Sequence, residues 1–297
     1  MNTAFRSGFV TIIGCPNAGK STLLNCLVGQ KVAIVSSKAQ TTRNKIIGVV
    51  TKSDYQIVFL DTPGIISPRN RLGDYMLDVA HEAMKDVEGI LLVLDAAVGI
   101  GERDRQIIER LSKYRVPRLA WVNKTDIASR GNIEECCQAV EEAGYFYCVF
   151  KGSAYKGDGV FELEKTLSAL MPEGPRYFPE DMVTDQPERV ICGEIIREKA
   201  LLLLRDEIPH GVGVCIDKMS LRQDIDLMDI YATIYCERDS HKGIIIGKGG
   251  SMLKKIGRLA REDIESLIGN RVNLQIWIKV KEDWRNKPTV LHELGYE

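Results

Sequence analysis

An α/β fold with a mostly parallel sheet, followed by a smaller α+β unit, is predicted by three features of the 297-residue chain. Short, almost continuous apolar runs alternate with amphipathic stretches as far as Leu170. Four of the ten prolines then crowd into Pro172–Pro187. Beyond them the order of strand-like and helix-like segments changes. Apolar runs without alternation belong to strands buried on both faces, and strand–helix alternation marks a parallel sheet covered by helices.

Phe9–Ile13, Ile57–Leu60, Ile90–Leu94, Leu119–Val122 and Tyr145–Phe150 read as the strands of the first unit. Val49–Val50, before Thr51, adds a strand that pairs with the run at Ile57. Periodic apolar positions predict helices over Lys20–Val28, Asp74–Lys85, Arg103–Ser112, Ile133–Glu142 and Phe161–Leu170. The prolines make residues 173–189 an extended linker that cannot continue a helix. This divides the chain into 1–172, the linker, and 190–297. The last part reads as a helix (Gly193–Glu207), two strands (Gly211–Met219 and Leu227–Cys236), helices over Lys242–Leu267 around a glycine interruption, and an alternating strand at Val272–Val280.

Forty Lys and Arg against forty-one Asp and Glu give a formal charge of -1. A surface coated with nucleic acid is usually strongly basic, so any such site here is local. No run reaches the roughly 18 residues of a membrane span; the longest, from Ile90 to Val98, carries Asp95. The segment MNTAFRSGFV has no hydrophobic signal core, which predicts a cytoplasmic protein. Eight cysteines without CxxC spacing read as reduced thiols, and four histidines without ligand spacing give no indication of zinc.

Gly14-Cys15-Pro16-Asn17-Ala18-Gly19-Lys20-Ser21-Thr22 follows an apolar strand and opens a helix, the context that a phosphate loop requires. Backbone N–H groups and the helix N-terminus face the phosphates, Lys20 bridges the β- and γ-phosphates, and the Ser21 hydroxyl ligates Mg²⁺. Asp61-Thr62-Pro63-Gly64 ends the strand Ile57–Leu60. A DxxG tetrapeptide alone is expected about once by chance in a chain of this length, so its place at a strand end carries the assignment. Asp61 would hold Mg²⁺ through water, and the Gly64 N–H would sense the γ-phosphate. Asn123-Lys124-Thr125-Asp126 follows Leu119–Val122. A carboxylate at Asp126 can pair with the N1–H and 2-amino group of guanine, whereas adenine would leave it desolvated and unpaired. Ser153-Ala154 would offer an N–H to guanine O6. In this order the motifs predict GTP and GDP as ligands.

Between phosphate loop and DxxG, the polar segment around Gln40, Thr41, Thr42 and Arg43 has the character of a switch that brings a threonine to Mg²⁺ when the γ-phosphate is present. Thr42 is favoured over Thr41, and an ordinary polar turn is the competing reading. Ile65 stands where a Ras-like enzyme keeps a water-orienting glutamine, which predicts slow intrinsic turnover. Asn17 occupies the position that potassium-stimulated GTPases place near the phosphates, suggesting K⁺ as an activator; it is also a residue tolerated in a tight turn.

In the second unit, Ile246-Gly247-Lys248-Gly249-Gly250 joins two helices. Glycines between helices let a sugar-phosphate backbone approach closely, the way KH domains clamp about four nucleotides. Lys254, Lys255, Arg258 and Arg261 follow, and no acidic residue lies between His241 and Arg261. Ile225, Leu227, Ile230 and Trp277 are expected in the core. Trp284 and Arg285, beyond the last strand, are candidates for RNA contact.

Taken together, GCPNAGKST, QTTR, DTPGI, NKTD and SAY, then IIGKGG and a tail from Trp284-Arg285 to Leu294-Gly295-Tyr296, resemble the bacterial Era GTPase family over nearly the whole chain. Cys15 departs from the arginine more usual in that loop. The resemblance implies a Ras-like P-loop GTPase domain with a type II KH domain of order αββααβ. It also implies binding to the 3′ end of 16S ribosomal RNA, assistance in 30S assembly, and peripheral association with the inner membrane. DNA is not an expected partner, and a monomer is expected. The competing functions are a regulatory switch in which the KH fold docks proteins, and a tRNA-modifying GTPase, for which no modification domain is present in the sequence.

Overall fold

The computed structural model describes residues 4–36, 38, 41–64, 70–205 and 208–296. Gln40 and Ile65 lie outside the described residues. Two compact units emerge, one of Met1–Ala33, Thr42–Ser67 and Met76–Asp185, the other of Ile34–Thr41, Pro68–Tyr75 and Gln186–Glu297.

The chain first lays down β1 (Arg6–Ile13), α1 (Lys20–Val28), β2 (Ile46–Thr51), β3 (Tyr55–Asp61), α2 (Arg71–Glu82) and β4 (Gly89–Asp95). Then follow α3 (Glu102–Leu111), β5 (Arg118–Asn123), α4 (Arg130–Ala143), β6 (Cys148–Lys151) and α5 (Val160–Leu170). The six strands form one sheet in the order β2-β3-β1-β4-β5-β6, parallel except for β2. As expected from Val49 and Val50, β2 pairs with β3, with Val50 opposite Ile57. One face packs on α1 and α5 through Leu23, Leu24, Leu163 and Leu167, and the other on α3 and α4 through Ile107, Leu111, Cys136 and Val140. Each such fully buried side chain contributes about 1.5–3 kcal/mol. This two-sided burial is why the strands read as unbroken apolar runs.

The strand expected at Tyr145–Phe150 is shorter, because Tyr145 serves another purpose. Its hydroxyl donates to the Ile108 carbonyl and the Arg118 guanidinium lies 4.7 Å over its ring. The proline-rich stretch is extended but not loose. The Ser7 N–H donates to Pro172 O, the Gly174 N–H to Phe5 O, and the Val49 N–H to Val183 O. The buried Gln56 amide donates to Phe178 O and accepts from the Tyr177 and Phe178 N–H groups.

The second unit runs α6 (Glu188–Leu203), β7 (Gly213–Arg222), β8 (Leu227–Cys236), α7 (Asp239–Ile246), α8 (Ser251–Ile268), β9 (Arg271–Val280) and a short α9 (Pro288–Glu293) that the sequence reading had no place for. Its sheet has the order β7-β8-β9, with β8 antiparallel to β7 and parallel to β9. The core lies between the sheet and helices α6 and α8, around Ile196, Ile230, Ile234, Ile256 and Ile264. Within this unit Val35 and Thr41 are fixed to α6: the Val35 N–H donates to Glu198 Oε1 at 2.9 Å, and the buried Arg197 guanidinium donates to the Thr41 carbonyl.

Two expectations for this unit are corrected. Trp277 and Ile225 are 47% and 54% exposed rather than core. In β9 Val272, Leu274, Ile276 and Ile278 face inward, so Trp277 faces outward with Gln275 and Lys279. Trp284, by contrast, has no exposed surface; its Nε1–H donates to Gly211 O at 2.8 Å and its ring stacks on Tyr296. A side chain without exposed surface cannot stack on a base, so Trp284 packs the unit.

Candidate nucleotide site and candidate nucleic-acid interface

The nucleotide motifs converge because β1, β3, β5 and β6 are parallel and release their loops at the same sheet edge, where ligands of open α/β sheets bind. The phosphate loop, between β1 and α1, is held by close approaches. A Cβ on Gly19, whose φ is +98°, would fall 2.1 Å from Asn123 Nδ2, and one on Gly64 would fall 2.8 Å from the Pro16 nitrogen. Asn17 adopts a left-handed φ of 66°. Lys20 is buried, and its ammonium donates to the Gly14 and Cys15 carbonyls at 3.1 Å each. Burial lowers its pKa, opposed by the charge of Asp61. The Cys15 thiol is pushed up to about 12 by burial and by Asp104, so it is a neutral side chain in this loop.

Ser21, Thr42 and Asp61 meet directly. The Ser21 hydroxyl donates to Asp61 Oδ2 at 2.6 Å and lies 2.9 Å from Thr42 Oγ1. The Thr41 hydroxyl turns away and donates to the Lys38 carbonyl. Thr42 is therefore the threonine that the fold brings to this cluster; Arg43 beside it is buried. Burial raises the Asp61 carboxyl to about 6, opposed by Lys20 and by hydrogen bonds from Ser21 and Thr42. Among the described residues Asp61 Oδ1 is buried and accepts no hydrogen bond. Two hydroxyls and a carboxylate with an unused oxygen are the hard donors that suit Mg²⁺. Ser21, Thr42 and Asp61 would hold the ion, which would neutralise charge on the β- and γ-phosphates.

Asn123 ties the base-side loops together. Its Nδ2 donates to Ala18 O at 2.8 Å, and its Oδ1 accepts from Trp121 Nε1 at 3.1 Å and from the Ala154 N–H at 3.0 Å. The Lys124 ammonium bridges the Asn17 carbonyl and Asp95, and the Thr125 N–H donates to Gly152 O. Asp126 is exposed. Ser153 and Ala154 are both buried, and their N–H groups already donate, to Asp158 O and Asn123 Oδ1. An N–H offered to guanine O6 by this pair would share or leave the bond it makes here. Thr62 anchors the DxxG turn by donating to Ile12 O.

Sequence reasoning missed Trp121 and Asp95 as supports of this site. Trp121 lies two residues before Asn123 on one strand, so the period of two places both on the same face.

In the second unit Gly247, Gly249 and Gly250 have φ of 75°, 60° and 79°. Cβ atoms on Gly249 or Gly250 would meet nothing within 4 Å, which leaves open space over that backbone. Lys248 is exposed at the loop's apex. Behind it lies a groove of about 660 Å³ walled by Lys254, Lys255, Arg258 and Arg261 of α8 and by Leu274 and Ile276 of β9. Leu274 and Ile276 were read only as strand residues. Ile246 is half-buried at the loop's entry. Arg285 sits outside this basic wall, paired through two nitrogens with Glu237.

The comparisons with known proteins agree with this geometry. A family described as "50S ribosome-binding GTPase" matches residues 9–124, and one described as "KH domain" matches residues 207–285. GTPase Era of Alkaliphilus metalliredigens is 51% identical over 99% of this chain and 100% of its own length. GTPase Era of Clostridioides difficile is 52% identical over 98% and 99%. The chain belongs to the Era GTPase family. The fold of this Era-family GTPase matches a crystal structure of an Aquifex aeolicus Era variant bound to GDP·AlF4⁻, with a TM-score of 0.93, 39% identity and 98% and 99% of the two chains covered. With equal scores and coverage it matches a crystal structure of Era in complex with MgGDPNP and nucleotides 1506–1542 of 16S ribosomal RNA. As an Era-family enzyme it hydrolyses GTP to GDP and phosphate.

Proposed function

We propose that this GTPase is a slow molecular switch that binds the 3′ end of 16S ribosomal RNA and assists maturation and assembly of the 30S subunit. The observation that carries the reading is the basic groove beside the open Gly249–Gly250 backbone, on a chain whose net charge is only -1. Positive charge placed along one groove favours phosphates at that place. The relative crystallised with nucleotides of 16S ribosomal RNA supports the choice of RNA.

In the nucleotide site the protein's own groups bind and orient. Loop N–H groups and Lys20 take the phosphates, Asp126 takes the guanine edge, and Asn123 holds both loops in register. A γ-phosphate drawn to Thr42 and Gly64 would bias the segments that carry them. Further parts of the reading are K⁺ activation near Asn17, a monomeric state, and a cytoplasmic location with peripheral attachment to the inner membrane. No helix of the described residues is long and apolar enough to cross a membrane. Hydrolysis rates in K⁺ and Na⁺ at equal ionic strength check the first of these.

The decisive experiment is a titration of the full chain with a single-stranded oligonucleotide of the 16S 3′ end. Lys248→Asp, combined with Gly249→Asp, should weaken binding at least ~10-fold by repulsion and by blocking backbone approach, with GTP affinity unchanged. Wild-type RNA affinity in that variant would remove the groove from the RNA site and leave protein docking as the better reading.

A further inference from the structure

The outward face of the β7-β8-β9 sheet carries an aromatic surface that the nucleotide switch and the glycine loop do not use. Strand pairing sets Lys218, Tyr231 and Gln275 in one row across the sheet and Cys215, Thr233 and Trp277 in the next. Partners in register share a face, and alternation keeps this face opposite the core side chains. The Tyr231 and Trp277 rings stack with centroids 5.9 Å apart and planes 18° from parallel. Trp277 is nearly half exposed, and Lys218 and Lys279 are exposed beside the pair. In the following row the Lys281 ammonium lies 4.8 Å over the Tyr235 ring.

Of three carboxylates near this face, two are paired with cations and Asp217 accepts a hydroxyl hydrogen bond that leaves its charge in place. Asp217 accepts from the Thr233 hydroxyl, Asp229 is held by Arg222 and Asn273, and Glu293 pairs with Lys281. An aromatic plane bordered by lysines is how single-stranded nucleic acid is bound without base choice: bases stack, and lysines follow the backbone. The face also adjoins the basic groove. β9 is an edge strand; Ile276 lines the groove on one side of it, and Trp277, the next residue, stands on the other.

We propose that the Tyr231–Trp277 pair, with Lys218 and Lys279, is a second single-stranded RNA subsite that receives nucleotides leaving the groove across the edge of β9. This rests on the groove being an RNA site. Bases stack on Trp277, and the two lysines neutralise the phosphates that follow. The subsite adds affinity and sets the minimum length of strand that binds tightly, without adding base preference.

The test uses the full chain and two oligonucleotides of the 16S 3′ end, one of about four nucleotides, the number a KH groove clamps, and one about three times as long. Trp121 and Trp284 have no exposed surface, so acrylamide quenching of tryptophan fluorescence reports mainly on Trp277. The longer strand should shield Trp277 and the shorter one should not. Trp277→Ala should weaken the longer strand about 10-fold, the scale of one lost base stack, leave the shorter unchanged, and preserve GTP turnover; Trp277→Phe should restore most of the loss. Equal affinity of Trp277→Ala and wild type for the longer strand overturns the proposal. So does a Trp277 left fully open to acrylamide in the wild-type complex, a readout that stands even if the alanine variant folds poorly. Lys248→Asp keeps the two readings apart: undiminished binding of the short strand in that variant defeats the groove, whereas the outcomes above bear on the sheet face alone.

Discussion

Around Asn123 the first unit builds its site from buried side chains already bonded to one another, whereas the Gly247–Gly250 loop of the second unit offers open backbone fringed by exposed lysines. The difference follows from what each must hold. A nucleoside triphosphate has one compact shape, and discrimination between bases requires polar groups fixed in a desolvated place. A single strand of RNA is flexible and uniformly charged, so many exposed contacts of modest strength suffice. Change of a single atom should therefore be costly in the first site and graded in the second.

The sharpest way to break that comparison is Gly19→Ala. The new Cβ would enter Asn123 Nδ2 at a backbone φ that side chains rarely adopt, so GTP binding should vanish in a fluorescent-nucleotide titration while RNA affinity survives. Retained GTP affinity would mean that the loop relaxes, against the view of a locked site. Next comes Asn123→Ala, which leaves the Trp121 N–H, the Ala154 N–H and the Ala18 carbonyl without their partner. At about 1–3 kcal/mol per unsatisfied buried group, a destabilisation of roughly 3 kcal/mol is expected, read as a lower Tm, together with weaker GTP binding. An unchanged Tm would place the cross-link outside the folding energetics.

At the other end of the scale stand Lys254→Ala and Lys255→Ala. Both residues are exposed on α8, so each should weaken all RNA sequences alike by a few fold and reduce the slope of log affinity against log salt by about 1. Tm should not move. A sequence-dependent loss would show that these lysines read bases and would narrow the contrast between the two sites.

Much of this was legible in the chain. Lys20–Val28 and Leu227–Cys236 are bounded as the pattern predicts, because flanking glycines and an apolar run broken only by Asp229 and Thr233 are local signals. Ser21, Asp61 and Asn123 were found because strand ends and short motifs fix backbone geometry within a few residues. Trp277 and Trp284 escape the local pattern for opposite reasons. Hydrophobicity alone reads Trp277 as core, although its alternation with Ile276 and Ile278 and its phase with Gln275 and Lys279 place it outside. The sequence leaves Trp284 undecided because its burial depends on Gly211 and Tyr296, the first of them far away in sequence, and no local pattern encodes that contact. The engagement of the Ala154 N–H by Asn123 is invisible in the sequence for the same reason.

The proline-rich stretch has a consequence for self-association. β2 is the outer strand of the six-stranded sheet, and an unpaired outer strand is a template on which another chain can add. The Val183 carbonyl takes the Val49 N–H on that side, while the backbone of Tyr177 and Phe178 satisfies the buried Gln56 amide in the strand behind it. Residues 173–183 thus act as a selvedge as well as a tether. A first unit trimmed at Pro172 would keep every nucleotide motif and yet expose a bare strand and a Gln56 amide left with Thr51 Oγ1 as its remaining partner, a molecule suited to aggregate.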